Sequence, residues 1–196
     1  MKKITQLRII IKIGMKKDLL ILLSVFVLQV YGQNPSQRTI ELNPFTGATY
    51  GLSSEAGSRK IGPSFGFEGR WNLRTCPIDI GLQAYLGQAI TSYKKLDVKC
   101  RTISLTAFGD YNWKRGSNFS PFIGMGLGFN QYDIIDPGWY DYKYNDTGVQ
   151  GCGVVPRVGI ELYRHIRITL EGHLGKKIYN TVGLTVGYAF GIGKKI

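Results

Sequence analysis

Two groups of residues in this chain have the types that chemistry needs. The first is a set of charged side chains of both signs, Glu41, Glu68, Arg70, Asp79, Asp110, Arg157, Glu161, Arg167 and Glu171, each set in an otherwise apolar or glycine-rich run. Charges withdrawn from water must pair to be tolerated, so the set reads as a salt-bridge network; an ion pathway or gate is its functional alternative. The second is His173, two residues after Glu171, a spacing that puts both on one face of a strand and would suit acid–base catalysis. Catalysis there would need a partner nucleophile, and no serine lies in that run. His165 reads as a solvated turn residue. Gly124-Met125-Gly126-Leu127-Gly128 superficially matches a phosphate-binding loop, but no helix pattern follows it. Its glycines are expected to make room for Phe108 and Arg157. No cofactor or metal site is implied.

The elements that must position these residues are strands. From Asn180 to Ile192, Val182, Leu184, Val186, Tyr188, Phe190 and Ile192 share one face, and Thr181, Gly183, Thr185, Gly187, Ala189 and Gly191 share the other. A soluble sandwich would turn the large apolar face inward and charged side chains outward. Here the opposite face holds only small residues and threonines, which suits a crowded lumen, and the bulky face suits lipid. The same alternation predicts strands at Thr39–Gly47, Ser64–Leu73, Ile78–Gly87, Thr102–Trp113, Pro121–Asn130, Val154–Tyr163 and Ile166–Leu174, with Pro44 marking a bulge or bend in the first. Their small and charged faces carry all nine ionisable residues named above.

The connections alternate long and short. Arg74–Pro77, Lys114–Ser120 and the turn at Arg164 and His165 are short; Ser53–Lys60, Thr91–Lys99, Gln131–Gly151 and Gly175–Tyr179 form the longer set. Outer-membrane barrels join their strands by short periplasmic turns and longer extracellular loops, and an even strand count returns both termini to the periplasm. The pattern therefore predicts an all-β, eight-stranded antiparallel up-and-down transmembrane barrel. Trp71, Tyr111, Trp113 and Phe190 would face outward near the periplasmic end as an aromatic girdle.

Composition agrees. The chain is 43% hydrophobic, with 26 glycines and 12 tyrosines, and no apolar run reaches the roughly 20 residues of a spanning helix. Lys16 and Lys17 precede the apolar stretch Leu19–Val30, and Val30-Tyr31-Gly32 offers a cleavage site, so residues 1–32 read as a signal peptide, with Met15 as an alternative start. Its removal takes away six basic residues and one acidic one, lowering the formal charge from +12 to +7. That remainder is too dispersed to imply nucleic acid. Export permits oxidation of Cys76, Cys100 and Cys152, and a Cys100–Cys152 bridge between outer strand ends is one option, with Cys76 free.

The chain resembles the small eight-stranded outer-membrane barrels of the OmpA transmembrane-domain and OmpX type, including the short barrel proteins of Bacteroidetes-type genomes. Residues 38–192 carry the resemblance, and Thr185-x-Gly187-x-x-Phe190-x-Ile192 is similar to the terminal signal that outer-membrane assembly machinery reads in this class. Lys194, Lys195 and Ile196 follow it, whereas the family commonly ends on an aromatic residue. Small lipid-modifying enzymes share the architecture, but the histidine-serine motif of the lipid A deacylases is absent. A soluble lipocalin-like barrel is the remaining alternative. Lys94 and Lys95, with other basic loop residues, could pair with lipopolysaccharide phosphates. Trp139, Tyr140, Tyr142 and Tyr144, in the acidic longest loop, could contact an extracellular protein or glycan. The resulting expectation is a monomeric, non-enzymatic protein of the cell outer membrane, structural or acting through its surface loops; a narrow channel is the alternative.

Overall fold

The computed structural model describes residues 38–52, 61–73, 76–93, 96–135, 149–175 and 180–195. The expected signal peptide and the loop candidates Lys94, Lys95, Trp139, Tyr140, Tyr142 and Tyr144 lie outside them. Within the compact unit Ser36–Ile196, the strands are β1 (Arg38–Gly51), β2 (Ile61–Asn72), β3 (Ile78–Tyr93), β4 (Leu96–Asn112), β5 (Phe119–Ile135), β6 (Val149–Leu162), β7 (Ile166–His173), β8 (Thr181–Tyr188) and β9 (Phe190–Lys195).

Each strand from β1 to β7 pairs antiparallel with the next, and β1 pairs with β8 and β9 as well as β2, so the sheet closes on itself. The segments β8 and β9 are one closing strand. Phe45 faces Gly187 and Leu42 faces Phe190, the same offset on either side of the break at Ala189. The break falls where β1 presents Pro44, which has no N–H to give the ladder. Pro44 itself stays in β1 without a bulge, paired with Phe67; the register shift lies instead between Arg38 and Ile40. The result is an eight-stranded up-and-down barrel, closed with no free edge along its wall.

Its sidedness is inverted relative to a soluble barrel. Leu82, Leu105, Met125, Leu127, Leu184 and Val186 are exposed on the outer wall, Leu127 to 71%, while Glu68 and Arg157 are buried in the lumen at 1% and 2% exposure. An apolar belt on the outside and ions on the inside is stable only with lipid around it. Tyr188 departs from the expectation for its face. It shares the outer side with Ile166, its register partner, but is buried beneath His165, stacked at 5.2 Å, and Phe190 at 4.7 Å.

Register solves the filling of the narrow lumen. Arg70 faces Gly81, Asp110 faces Gly124, Gly124 faces Arg157, Glu41 faces Gly191, Arg167 faces Gly187, and Phe122 faces Gly159. Each bulky inward side chain thus has an empty place beside it on the next strand, the large-against-small arrangement that small barrels need. At Gly159 a Cβ would meet Ile168 O at 2.2 Å and Phe122 Cζ at 2.5 Å. Backbone cannot yield, so Gly159→Val should cost about 1–3 kcal/mol through overpacking, measured as a lowered urea midpoint of the folded barrel.

Three expectations about detail are corrected. Gly124 does face Arg157 in register, but the ring of Phe108 lies over Gly81, and the run meets only the Cβ of Phe108, with Asp110, Thr106 and Ser104 beside it. Strands continue through Thr91–Tyr93 and Leu96–Lys99, with Tyr93 facing Leu96, so only two residues separate β3 from β4 and the long-short alternation fails there. Loop polarity misled because the hairpin has risen above the apolar belt, where both faces of a strand are wetted. A Cys100–Cys152 bridge is excluded by register: on β5, Cys100 faces Ile134 and Cys152 faces Phe129. Five residues of strand, roughly 16 Å, then separate their levels, against the ~7 Å limit between disulfide Cα atoms. Cys76 and Cys152 are free.

Candidate functional site

Among the described residues, charged side chains converge in the lumen of the barrel. Strand alternation puts all nine predicted ionisable side chains inside, and all nine are buried. Sequence neighbours in register do not decide the pairing. Asp79 faces Asp110 directly across β3 and β4, an arrangement that would repel if both carboxylates stayed where they start. They part: Asp110 turns to Arg157, 3.4 Å away, and to Arg167, while Asp79 takes Arg115.

The centre is a cluster of three guanidiniums and four carboxylates. Arg70 binds Glu41 at 2.5 Å and Glu161 at 3.0 Å, and lies 3.5 Å from Glu68. Arg157 binds Glu68 at 2.5 Å. Arg167 binds Asp110 and lies 3.5 Å from both Glu68 and Glu161. Several of these contacts cross the lumen: β2 to β6 twice, β7 to β4, β7 to β2. They fill the interior rather than line it. Arginine suits the role because its planar fork holds several carboxylates at once and stacks on rings. Arg157 sits over Phe108 at 4.0 Å and Arg167 over Phe122 at 3.5 Å, which gives the buried cations a second, apolar-compatible partner.

Two of the nine stand apart. Asp79 belongs to a seal at the short-turn end, where Arg115 Nη1 donates to Leu73 O at 2.7 Å and Cys76 O at 3.1 Å and its Nη2 donates to Asp79 Oδ1. Asn112 donates to Asp79 Oδ2 at 3.3 Å, and Ser120 Oγ bonds Asn112 Oδ1 at 2.5 Å. Glu171 belongs to a second group nearer the other end: it accepts from Gln83 at 2.9 Å across the lumen and lies 3.5 Å from His173 Nε2. His173 stacks on Tyr85 at 4.0 Å. Sequence reasoning does not single out Arg115, Gln83, Phe122 or Tyr85, and names Phe108 only as a bulky neighbour of the glycine run. Tyr85 and the two phenylalanines sit on the inward faces already assigned and could have been found there; Arg115 lies in a turn, where alternation says nothing.

His173 is wholly buried inside the lumen, where no lipid tail or headgroup on the outer wall reaches it. Among the described residues no group of three or more potential ligands could hold a metal ion.

On the outside, Trp71, Tyr111 and Trp113 are exposed at the short-turn end, the last two ring to ring at 5.0 Å. Phe190 packs against Tyr188 at the same end. At the opposite limit of the apolar belt, Arg101 and Asp133 face each other on β4 and β5 and pair at 2.6 Å on the outer wall.

No family model matches the chain, and no curated protein matches it. Among solved structures it is similar to Neisserial surface protein A, with a TM-score of 0.57 at 13% identity over 79% of this chain and 97% of that one. It is also similar to the outer membrane protein OprG of Pseudomonas aeruginosa, with a TM-score of 0.49 at 13% identity over 82% and 100%. A third similar structure is Ail, the attachment invasion locus protein of Yersinia pestis, with a TM-score of 0.44 at 15% identity over 76% and 98%. With the closed register, the inverted sidedness and the fold shared with Neisserial surface protein A, the chain is an eight-stranded outer-membrane β-barrel with the architecture of the small OmpA transmembrane-domain and OmpX type.

Proposed function

We propose that this is a non-enzymatic, non-conducting protein of the outer membrane that works through the surface it presents outside the cell. The observation that carries this reading is the filled lumen: Arg70, Arg157 and Arg167 have no exposed side-chain surface and bridge opposite walls. Eight strands leave an interior that side chains can fill, and here they do so with charges that cannot move aside without losing their partners. His173 supports the same reading by being sealed away from any lipid substrate.

What remains for function is the end where strands outrun the membrane. β3, β4 and β5 have 16, 17 and 17 residues, against the roughly 9–11 that span a bilayer. The short-turn end is then periplasmic and the extended β3–β5 region extracellular. Lys94, Lys95, Trp139, Tyr140, Tyr142 and Tyr144 follow in sequence at that end, where basic residues could meet lipopolysaccharide phosphates and tyrosines an extracellular protein or glycan.

The test is single-channel recording of the purified protein in planar bilayers, with folding checked by heat-modifiable migration. Flat traces are expected. Sustained conductance steps would overturn the proposal in favour of a narrow channel.

A further inference from the structure

The topology sorts the charges of the chain into three zones, and one of them is almost wholly cationic. Of the twelve acidic residues after Gly32, six (Glu41, Glu68, Asp79, Asp110, Glu161, Glu171) are in the lumen, and six (Glu55, Asp97, Asp133, Asp136, Asp141, Asp146) lie in the loops or strand ends opposite the short turns. Of these only Asp79 reaches the short-turn end, where it pairs with Arg115. That end carries Arg38, Lys114, Arg115, Arg164, Lys194 and Lys195, with Arg74 adding to it by sequence alone. The rest of the lumen, with three arginines against five carboxylates, is net negative, and the opposite end mixes nine cations with its six acids. Once Asp79 is set against Arg115, the short turns still hold six of the excess of seven positive charges.

Their placement is circumferential. Arg38 and Lys195 face each other where β1 meets β9, Lys114 and Arg115 lie in the turn between β4 and β5, and Arg164 lies in the turn between β6 and β7. Arg115 is held by Asp79, so the excess charge of the rim is carried by Arg38, Lys114, Arg164, Lys194 and Lys195, with Arg74 by sequence. A partner with one concave anionic face would meet only part of such a ring. A bilayer leaflet meets all of it at one depth, and the ring stands immediately beyond the aromatic residues Trp71, Tyr111 and Trp113 that mark an interface.

We infer that the short-turn rim is a binding surface for anionic phospholipid headgroups of the periplasmic leaflet, selecting them as the lipid annulus of this barrel. The inference rests on the orientation used in the proposed function, short turns in the periplasm. A basic residue near an anionic surface is attracted by its phosphates, and the attraction fades within a Debye length.

The experiment uses the full barrel in bilayers of phosphatidylethanolamine containing spin-labelled phosphatidylglycerol or spin-labelled phosphatidylcholine, with motionally restricted lipid read by electron paramagnetic resonance. Phosphatidylglycerol should be enriched at the barrel about fivefold at low ionic strength, the factor equivalent to ~1 kcal/mol per basic residue, and much less in 0.5 M salt. Lys114→Gln with Arg164→Gln, Lys194→Gln and Lys195→Gln should remove most of the selectivity while heat-modifiable migration persists. Neutralising Lys94, Lys95, Lys176 and Lys177 instead should leave it in place. Equal restriction of both lipids, or loss of selectivity on neutralising the opposite end alone, would overturn the inference. Conductance is read separately, so failure here and failure of the closed-barrel reading are distinguishable.

Discussion

Arg70→Met should destabilise the folded barrel by about 3–5 kcal/mol, the loss expected when one partner leaves a buried ionic cluster. Arg70 is the sole cation within reach of Glu41 among the described ion pairs, and it also binds Glu161 and approaches Glu68. Methionine would keep much of the volume but strand these carboxylates, with Arg157 and Arg167 left to serve four acids. Water cannot compensate a charge held in a sealed interior, and the penalty falls on the carboxylates that remain. The comparison is internal: Asp133→Asn breaks the outer-wall pair with Arg101, whose arginine side chain is 38% exposed, and should cost no more than about 1 kcal/mol. Equilibrium urea unfolding in lipid vesicles measures both. Equal effects would mean that the lumen is wet and the cluster is not what holds the walls together. Replacing Arg70 and Glu41 together by apolar residues should recover part of the loss, because the stranded charge is then gone as well.

Leu127→Arg is expected to cost about 2–4 kcal/mol although Leu127 is among the most exposed side chains in the molecule. In a water-soluble protein a substitution at such a position falls within about 0.5 kcal/mol of neutral. The sign and size together report which solvent bathes the wall. Leu127 lies midway along the outward row Ile123, Met125, Leu127 and Phe129, so its side chain sits near the bilayer centre, where a guanidinium is most costly. Gln131→Arg, two residues beyond Phe129 toward the Arg101–Asp133 pair, should cost only about 0–1 kcal/mol because it reaches the interface. A flat profile along this row would return the protein to the soluble barrels.

The fold was legible in the sequence because one face of nearly every strand is written in glycine, threonine and charge and the other in bulky apolar residues. Leu184 against Thr185, or Leu127 against Gly126 and Gly128, leaves a closed wall between lipid and lumen as the arrangement that buries the ions and wets nothing greasy. Alternation alone puts all nine ionisable residues on one face of the sheet, and in the structure that face is the buried one, since side chains in a strand have no third direction. The ends of strands were less legible. Polarity stops distinguishing strand from loop once the hairpin at Tyr93 and Leu96 leaves the membrane, and backbone hydrogen bonds alone carry it on.

What the sequence by itself determined is therefore sidedness, strand count and the identity of the charges that must be neutralised inside. Only the tertiary structure decided who neutralises whom. Asp79 and Asp110 are register neighbours yet turn to different arginines, and Glu68 reaches Arg157 from across the barrel. Curling the sheet into a cylinder brings strands four apart in the chain face to face at side-chain distance, and no local period encodes that approach. The same closure gathers the basic residues of scattered turns into one ring, a pattern that exists along the chain only as isolated lysines and arginines.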